Sequence, residues 1–411
     1  MDKNLKIEYY PKIDKDLLQE SISKIQLNKD KWNSPFFFDT KSYVDIELVK
    51  ESSSPYLLNR IQNIIVLGTG GSIQTFLALR HLSKKRIFPI TSSRSVELQE
   101  CLDKTSPDNS VVIPISRGGE TLDINSTIGT FLSKDYKFLG LSSMGTMNEL
   151  LKNIGSPILD VPDLSGRYAG SVTNVGIVPS YISGVNIESF LKGLSLGYSI
   201  FSDYKENIAL EFAAYLYNLY KKNFKVIFSM PYSKNIEGCV GLWIQGISEG
   251  TGKDGKGMIG TCQSAPICQH SVLEYLLGGF KGNVIPILWT IEEDIPDLFL
   301  KSSINYVNEK TAQTVVNYQA DATFQALIQQ GVPSAKISII NPLEINIGYL
   351  IAFILSTVYY LCLLIDVNWA TNPKVIIGKK ICNEALQENF DSEKRIRIRE
   401  SIANSKFENF F

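Results

Sequence analysis

The chain has 411 residues, 44% of them apolar and 20% charged, with a formal net charge of −1. That length allows two or three ordinary domains and a sizeable core, and the balanced charge excludes the global basic footprint of a nucleic-acid or acidic-membrane binder. Two histidines and six cysteines without a CxxC pair argue against a zinc framework.

In chain order, residues 1–60 are polar and mixed and read as a helical or irregular segment. The start, MDKNLKIEYYPKIDKDLLQE, has no apolar h-region and does not read as a signal peptide. With free thiols, a cytoplasmic protein is expected. From 61 to 200 a regular alternation runs through IIVLG (64–68), RIFPITS (86–92), VVIPIS (111–116), KFLGLSS (137–143) and PILDVP (157–162), five expected strands with a helical run between each. A second round, 205–366, holds helix ENIALEFAAYLYNLYKK, strand FKVIFSM (224–230), a helix through 236–248, and strands NVIPILWTI (283–291) and KISII (336–340) around a further helix. Short apolar runs separated by helices call for parallel sheets covered on both faces. The expected fold is therefore α/β, two doubly wound parallel-sheet domains in three-layer α/β/α form.

Residues 345–365, INIGYLIAFILSTVYYLCLLI, carry no charge and are long enough to span a bilayer. Interruptions at Asn346, Gly348, Ser356, Thr357 and Tyr359, and the lack of a basic flank, favour a buried core helix instead. Residues 367–411 read as a C-terminal helical tail.

Ligands of open α/β sheets sit beyond the carboxyl ends of the strands. LGTGGS (67–72) lies there, offering Gly71 and Ser72 to an anion, although a plain glycine turn fits the same residues. ISRGGETLD (115–123) repeats the arrangement after the third strand, with Ser116, Arg117, Gly118 and Thr121. Hydroxyls and amides around a small concavity suit a phosphate monoester. Arg167 follows the fifth strand, His270 opens a helix, and Lys379 and Lys380 follow a glycine. Each has an ordinary structural or solvent-facing reading of its own. GISEGTGKDGKGMIG (246–260) places the single acid Glu249 at a helix end before a glycine-rich loop, which is expected to bring backbone against a ligand.

Taken together, LGTGGS, SRGGETLD, SGRYAGS, EGTGK, QHSVLEYLLGG and GYLIAF continuing to VIIGKKIC resemble the glucose-6-phosphate isomerase family in order and spacing over residues 64 to about 386. The resemblance implies two sugar-isomerase (SIS) domains with a wrapping C-terminal helix. It implies reversible aldose–ketose isomerisation of a phosphosugar, with no metal or redox cofactor. Position by position, Glu249 falls on the catalytic base, Arg167 on the enediolate-stabilising arginine, His270 on the ring-opening histidine and Lys379 on the lysine near the ring oxygen. Gly71, Ser72, Ser116, Arg117, Gly118 and Thr121 fall on the phosphate loops. In the family the histidine comes from the neighbouring subunit, which implies a homodimer without nucleic-acid or membrane partners. Departures are Arg117 for lysine, Gly118 for threonine or serine, Gly250 and Thr251 for Ser-Asn, and Asn372 for glutamine. Ile376 stands for glutamate, and Leu355, Ser356 and Thr357 for Glu-His-Lys. A non-catalytic sugar-phosphate binder and an isomerase of another phosphosugar remain alternatives.

Overall fold

The computed structural model describes residues 5–32, 36, 43–164, 170–279 and 282–387. Residues 1–370 form one compact unit and residues 371–411 a second.

Strands β2 (Asn63–Leu67) and β4 (Ser110–Pro114) are buried at every position. Their side chains alternate between two cores, as a period of two demands. Ile64 and Val66 enter the main core, while Ile65 and Leu67 enter a smaller one. With β3 (Arg86–Ile90) and β5 (Lys137–Phe138) they form a parallel sheet in the order β3-β2-β4-β5. The expected strand 137–143 is split. β5 pairs with β4, whereas β6 (Gly140–Leu141) pairs with β7 (Ile158–Leu159). The run nevertheless stays alongside β4, since the Leu139 amide bonds Val112 at 3.0 Å and Leu141 bridges Ile115, so β7 is added on its far side.

The second sheet has the order β1-β11-β10-β8-β9, from β1 (Leu5–Tyr10), β8 (Val226–Pro231), β9 (Ile259–Cys262), β10 (Val284–Ile291) and β11 (Ser334–Ile339). All neighbours are parallel except β1, which runs antiparallel to β11. Reading residues 1–60 as helical or irregular therefore misses one strand, and that strand completes the distant second sheet. Helices cover both faces of each sheet, and the main core is shared by the two.

The apolar run of 345–365 is the helix Glu344–Ile365, buried at every position from Asn346 to Ile365. It lies in the core of the compact unit, as its interrupted apolar pattern implies. Close packing on helix Ile187–Phe201 depends on small residues. A Cβ on Gly193 would lie 1.9 Å from the Ile345 carbonyl oxygen, and one on Gly348 2.2 Å from that of Phe190. The second unit contains the helix Val375–Gln387, which has no buried residue.

Candidate active site

Strand order places the site. From β2 the chain goes to β3 on one side and then to β4 on the other, so the crevice at the carboxyl ends of β2 and β4 is the topological switch point. Both hydroxyl-bearing loops open there. After β2, Gly70–Ser72 forms a 3₁₀ turn, and Gly70 takes a φ of +56° that favours glycine. After β4, Ser116 is buried and its hydroxyl shares a 2.8 Å hydrogen bond with that of Thr121. Thr121 is the N-cap of helix Leu122–Leu132 but makes no side-chain cap bond. The first amides of that helix are thus left to other acceptors.

The loop 116–121 is braced from the next turn. The Arg117 carbonyl accepts from the amides of Ser143 and Met144, and Glu120 accepts from the Thr146 amide at 2.7 Å and its hydroxyl at 2.8 Å. These bonds hold the Glu120 carboxyl below its usual pKa range. The second glycine is the constrained one. Gly119 sits at φ +70°, with Met144 O 2.2 Å from an added Cβ, whereas Gly118 has nothing within 4 Å. Arg117 pairs with Asp163 at 2.6 Å, so at this position the guanidinium is already engaged.

Glu249 arrives on the helix Glu237–Thr251, which follows β8. This helix packs against Gln74–Leu79 of the first half through glycines: a Cβ on Gly238 would lie 2.3 Å from Leu77 O, and one on Gly241 2.9 Å from Gln74 Oε1. The same face carries Gln245, whose Nε2 lies 3.3 Å from the Cβ position of Gly70 and donates to Glu249 Oε1 at 3.3 Å. Gln245 thus links the half-buried carboxylate to the first hydroxyl-bearing loop. Sequence reasoning passed over it, although its i−4 spacing from Glu249 puts both on one helix face.

The helix extends to Thr251, beyond the expected end at 248, and the glycine-rich loop behaves differently from expectation. Gly255 and Gly257 have φ of +70° and +114°, and a Cβ on Gly257 would lie 2.4 Å from Thr251 O. The glycines reverse the chain into β9, with Gly252 and residues 254–256 facing solvent. The chain geometry accounts for them without a ligand.

His270 is exposed near the start of helix Gln269–Gly278, which Gln269 anchors to Tyr232 at 2.7 Å and Thr323 at 2.6 Å. This helix follows the carboxyl end of β9. Glu249 ends the helix that delivers the chain to the opposite, amino edge of the same sheet. One chain therefore does not bring the two together. The other histidine, His81, bonds the Pro342 carbonyl at 2.8 Å, and burial lowers its pKa, as befits a structural residue. Lys379 and Ile376 lie on helix Val375–Gln387 of the second unit. Arg167 lies outside the described residues. Its following neighbours are placed: Gly170 is packed on the Gly71 carbonyl, and the Ser171 hydroxyl shares a 3.0 Å bond with Thr75.

No family model matches the chain. Curated relatives do. The glucose-6-phosphate isomerase of Mycoplasmopsis pulmonis is 26% identical over 376 residues, covering 84% of this chain and 87% of the relative. That of Campylobacter jejuni is 26% identical over 351 residues, 79% and 86%. The resemblance to glucose-6-phosphate isomerase holds. A third such isomerase, from Fusobacterium nucleatum, is 28% identical over 260 residues, and there the match spans only 58% of the relative's length. Among solved structures, a glucose-6-phosphate isomerase from Chlamydia trachomatis superposes with a TM-score of 0.78 at 16% identity, covering 98% of this chain and 93% of that one. A hypothetical protein from Thermus thermophilus gives 0.80 at 19% identity, 90% and 95%. At these identities the structures establish the fold that this chain shares with a glucose-6-phosphate isomerase.

Proposed function

We propose that the protein is a glucose-6-phosphate isomerase, interconverting glucose 6-phosphate and fructose 6-phosphate through a cis-enediol. The observation that carries the reading is the junction of Glu249, Gln245 and the Gly70–Ser72 turn. A carboxylate and a hydroxyl-rich strand-end crevice lie side by side, as moving a proton between two carbons of an anchored phosphosugar requires. Glu249 takes the proton from carbon 2 and returns it to carbon 1. Such a base contributes ~10²–10⁴ in rate. Gly71, Ser72, Ser116, Gly118 and Thr121 receive the phosphate, with Arg117 at their rim. The phosphate supplies binding energy remote from the reacting carbons. Arg167 offsets charge growing on the enediolate oxygens. His270 and Lys379 serve ring opening, and no metal or redox cofactor is needed for the proton transfer.

His270 reaches this site from a second copy of the chain. Support comes from its exposure and from its surroundings. On the same edge, Ile267, Leu298, Phe299 and Tyr306 are 69%, 69%, 72% and 77% exposed, large apolar side chains that an interface would cover. A homodimer would cover it, and a cytoplasmic location follows from the glycolytic type of reaction. The test is a coupled assay with fructose 6-phosphate on the wild type and on Glu249→Gln. Turnover by the first and a folded, substrate-binding but inactive second are expected. An inactive wild type refutes the reading.

A further inference from the structure

The helix carrying Glu249 ends without the usual left-handed glycine. Gly252 follows Thr251 at φ −76°, so the left-handed stop common at helix ends does not form. Instead Lys253 turns back along the helix. Its Nζ donates to the Glu249 carbonyl at 2.7 Å and to the Gly250 carbonyl at 2.5 Å. Lys253 is only 8% exposed. Burying an ammonium is costly unless its protons are accepted. Here the acceptors are carbonyls of the last turn, where the helix dipole favours a cation.

The opposite side of the turn is fastened separately. Thr251 Oγ1 donates to Ile247 O at 2.7 Å and accepts from the Met258 amide at 2.9 Å, and Ser248 Oγ accepts from the Gly260 amide at 3.0 Å. Those bonds tie the turn to β9. Lys253 ties down the carbonyl of Glu249 itself and that of its neighbour, while Gln245 holds the Glu249 carboxylate from the preceding turn.

We propose that Lys253 is a positioning residue for the reaction, its buried ammonium fixing the backbone from which the Glu249 carboxylate is aimed. The inference rests on the reading of Glu249 as the base. A displacement of about 1 Å at a reacting group costs about 10²-fold in rate, and the loss should fall on kcat because Lys253 does not itself hold substrate. Lys253→Met keeps the aliphatic stem and removes the donor. The variant is expected to keep KM within about threefold and to lose kcat by tenfold or more, on the order of the penalty for a misplaced group. Lys253→Arg returns the charge through a longer side chain and should recover part of that loss. If Lys253→Met does not fold, Lys253→Arg alone is expected to show a reduced kcat at unchanged KM.

A Lys253→Met variant with wild-type kcat, or one whose loss lies wholly in KM, overturns the inference. So does an Arg variant equal to wild type, because placement would then not matter, or one no better than Met, because the charge would not. A wild type that turns over beside an unimpaired Lys253→Met sinks this inference alone. A wild type without turnover sinks the isomerase reading and this inference together.

Discussion

The carboxyl edges of the two sheets are made from similar buried parallel strands and differ in what covers them. At the first, the helix Glu237–Thr251 lies close against the β2 loop, and the loops there carry hydroxyls and amides. At the second, the loop after β10 presents Leu298 and Phe299 to solvent on the edge from which the helix of His270 also starts. The first edge is covered by a helix of the same chain, whereas the second leaves large apolar side chains exposed. The same fold thus presents two kinds of strand-end edge, depending on whether a neighbouring helix is close enough to cover the strand ends.

Five variants would break or sharpen that contrast. The largest effect belongs to the first edge. Glu249→Gln should lower kcat by ~10²–10⁴ with phosphosugar binding retained, read by coupled assay and calorimetry. Next comes the second edge, where Leu298→Asp with Phe299→Asp should weaken self-association by about 2–4 kcal/mol, visible as dissociation in analytical ultracentrifugation. The stability of each subunit should change little, since both side chains are exposed. Were the double variant to remain as associated as the wild type, the contrast between the edges would lose its meaning.

Within the first edge, Gly119→Ala should cost about 1–3 kcal/mol in urea unfolding because it combines a strained φ with a clash at Met144. Gly118→Ala, with open space around it, should stay within about 0.5 kcal/mol. Ser116→Ala falls between these two. Losing one hydroxyl donor should raise KM by roughly fivefold, about 1 kcal/mol, with kcat nearly unchanged. A fall in kcat alone would place Ser116 nearer the reacting carbons than the phosphate.

The interior of this fold is legible in the sequence because interior strands announce themselves. NIIVL, SVVIP and VIPILWTI are apolar except at Asn63, Ser110 and Thr290, since both of their faces are covered. The two strands that sequence reading misses, LKIEYY and IGTC, are edge strands with a solvated side. One of them pairs with residues more than three hundred positions away, and nothing local records that partner. At the site, the two serine-bearing loops and Glu249 can be found from motif and spacing. Sequence reasoning overlooks Gln245 although its i−4 spacing to Glu249 is available, whereas Lys253 cannot be found that way, because the carbonyls it meets are set only after the helix has formed. The glycines after Glu249 illustrate the converse error: a pattern that suits a ligand also suits a chain reversal, and only the positive φ at Gly255 and Gly257 separates the two.

The helix Glu344–Ile365 fills the middle of the core and is among the last parts of the compact unit to leave the ribosome. Until it emerges, the helices that surround it have no common partner, and β1 at the start of the chain waits for β11 to form its pairing. The second sheet and the main core therefore close only after residue 365 has emerged, whereas the smaller core of the first sheet is built from residues 65–158 alone. For that interval the nascent chain exposes wide apolar faces, which makes it a natural client for chaperones.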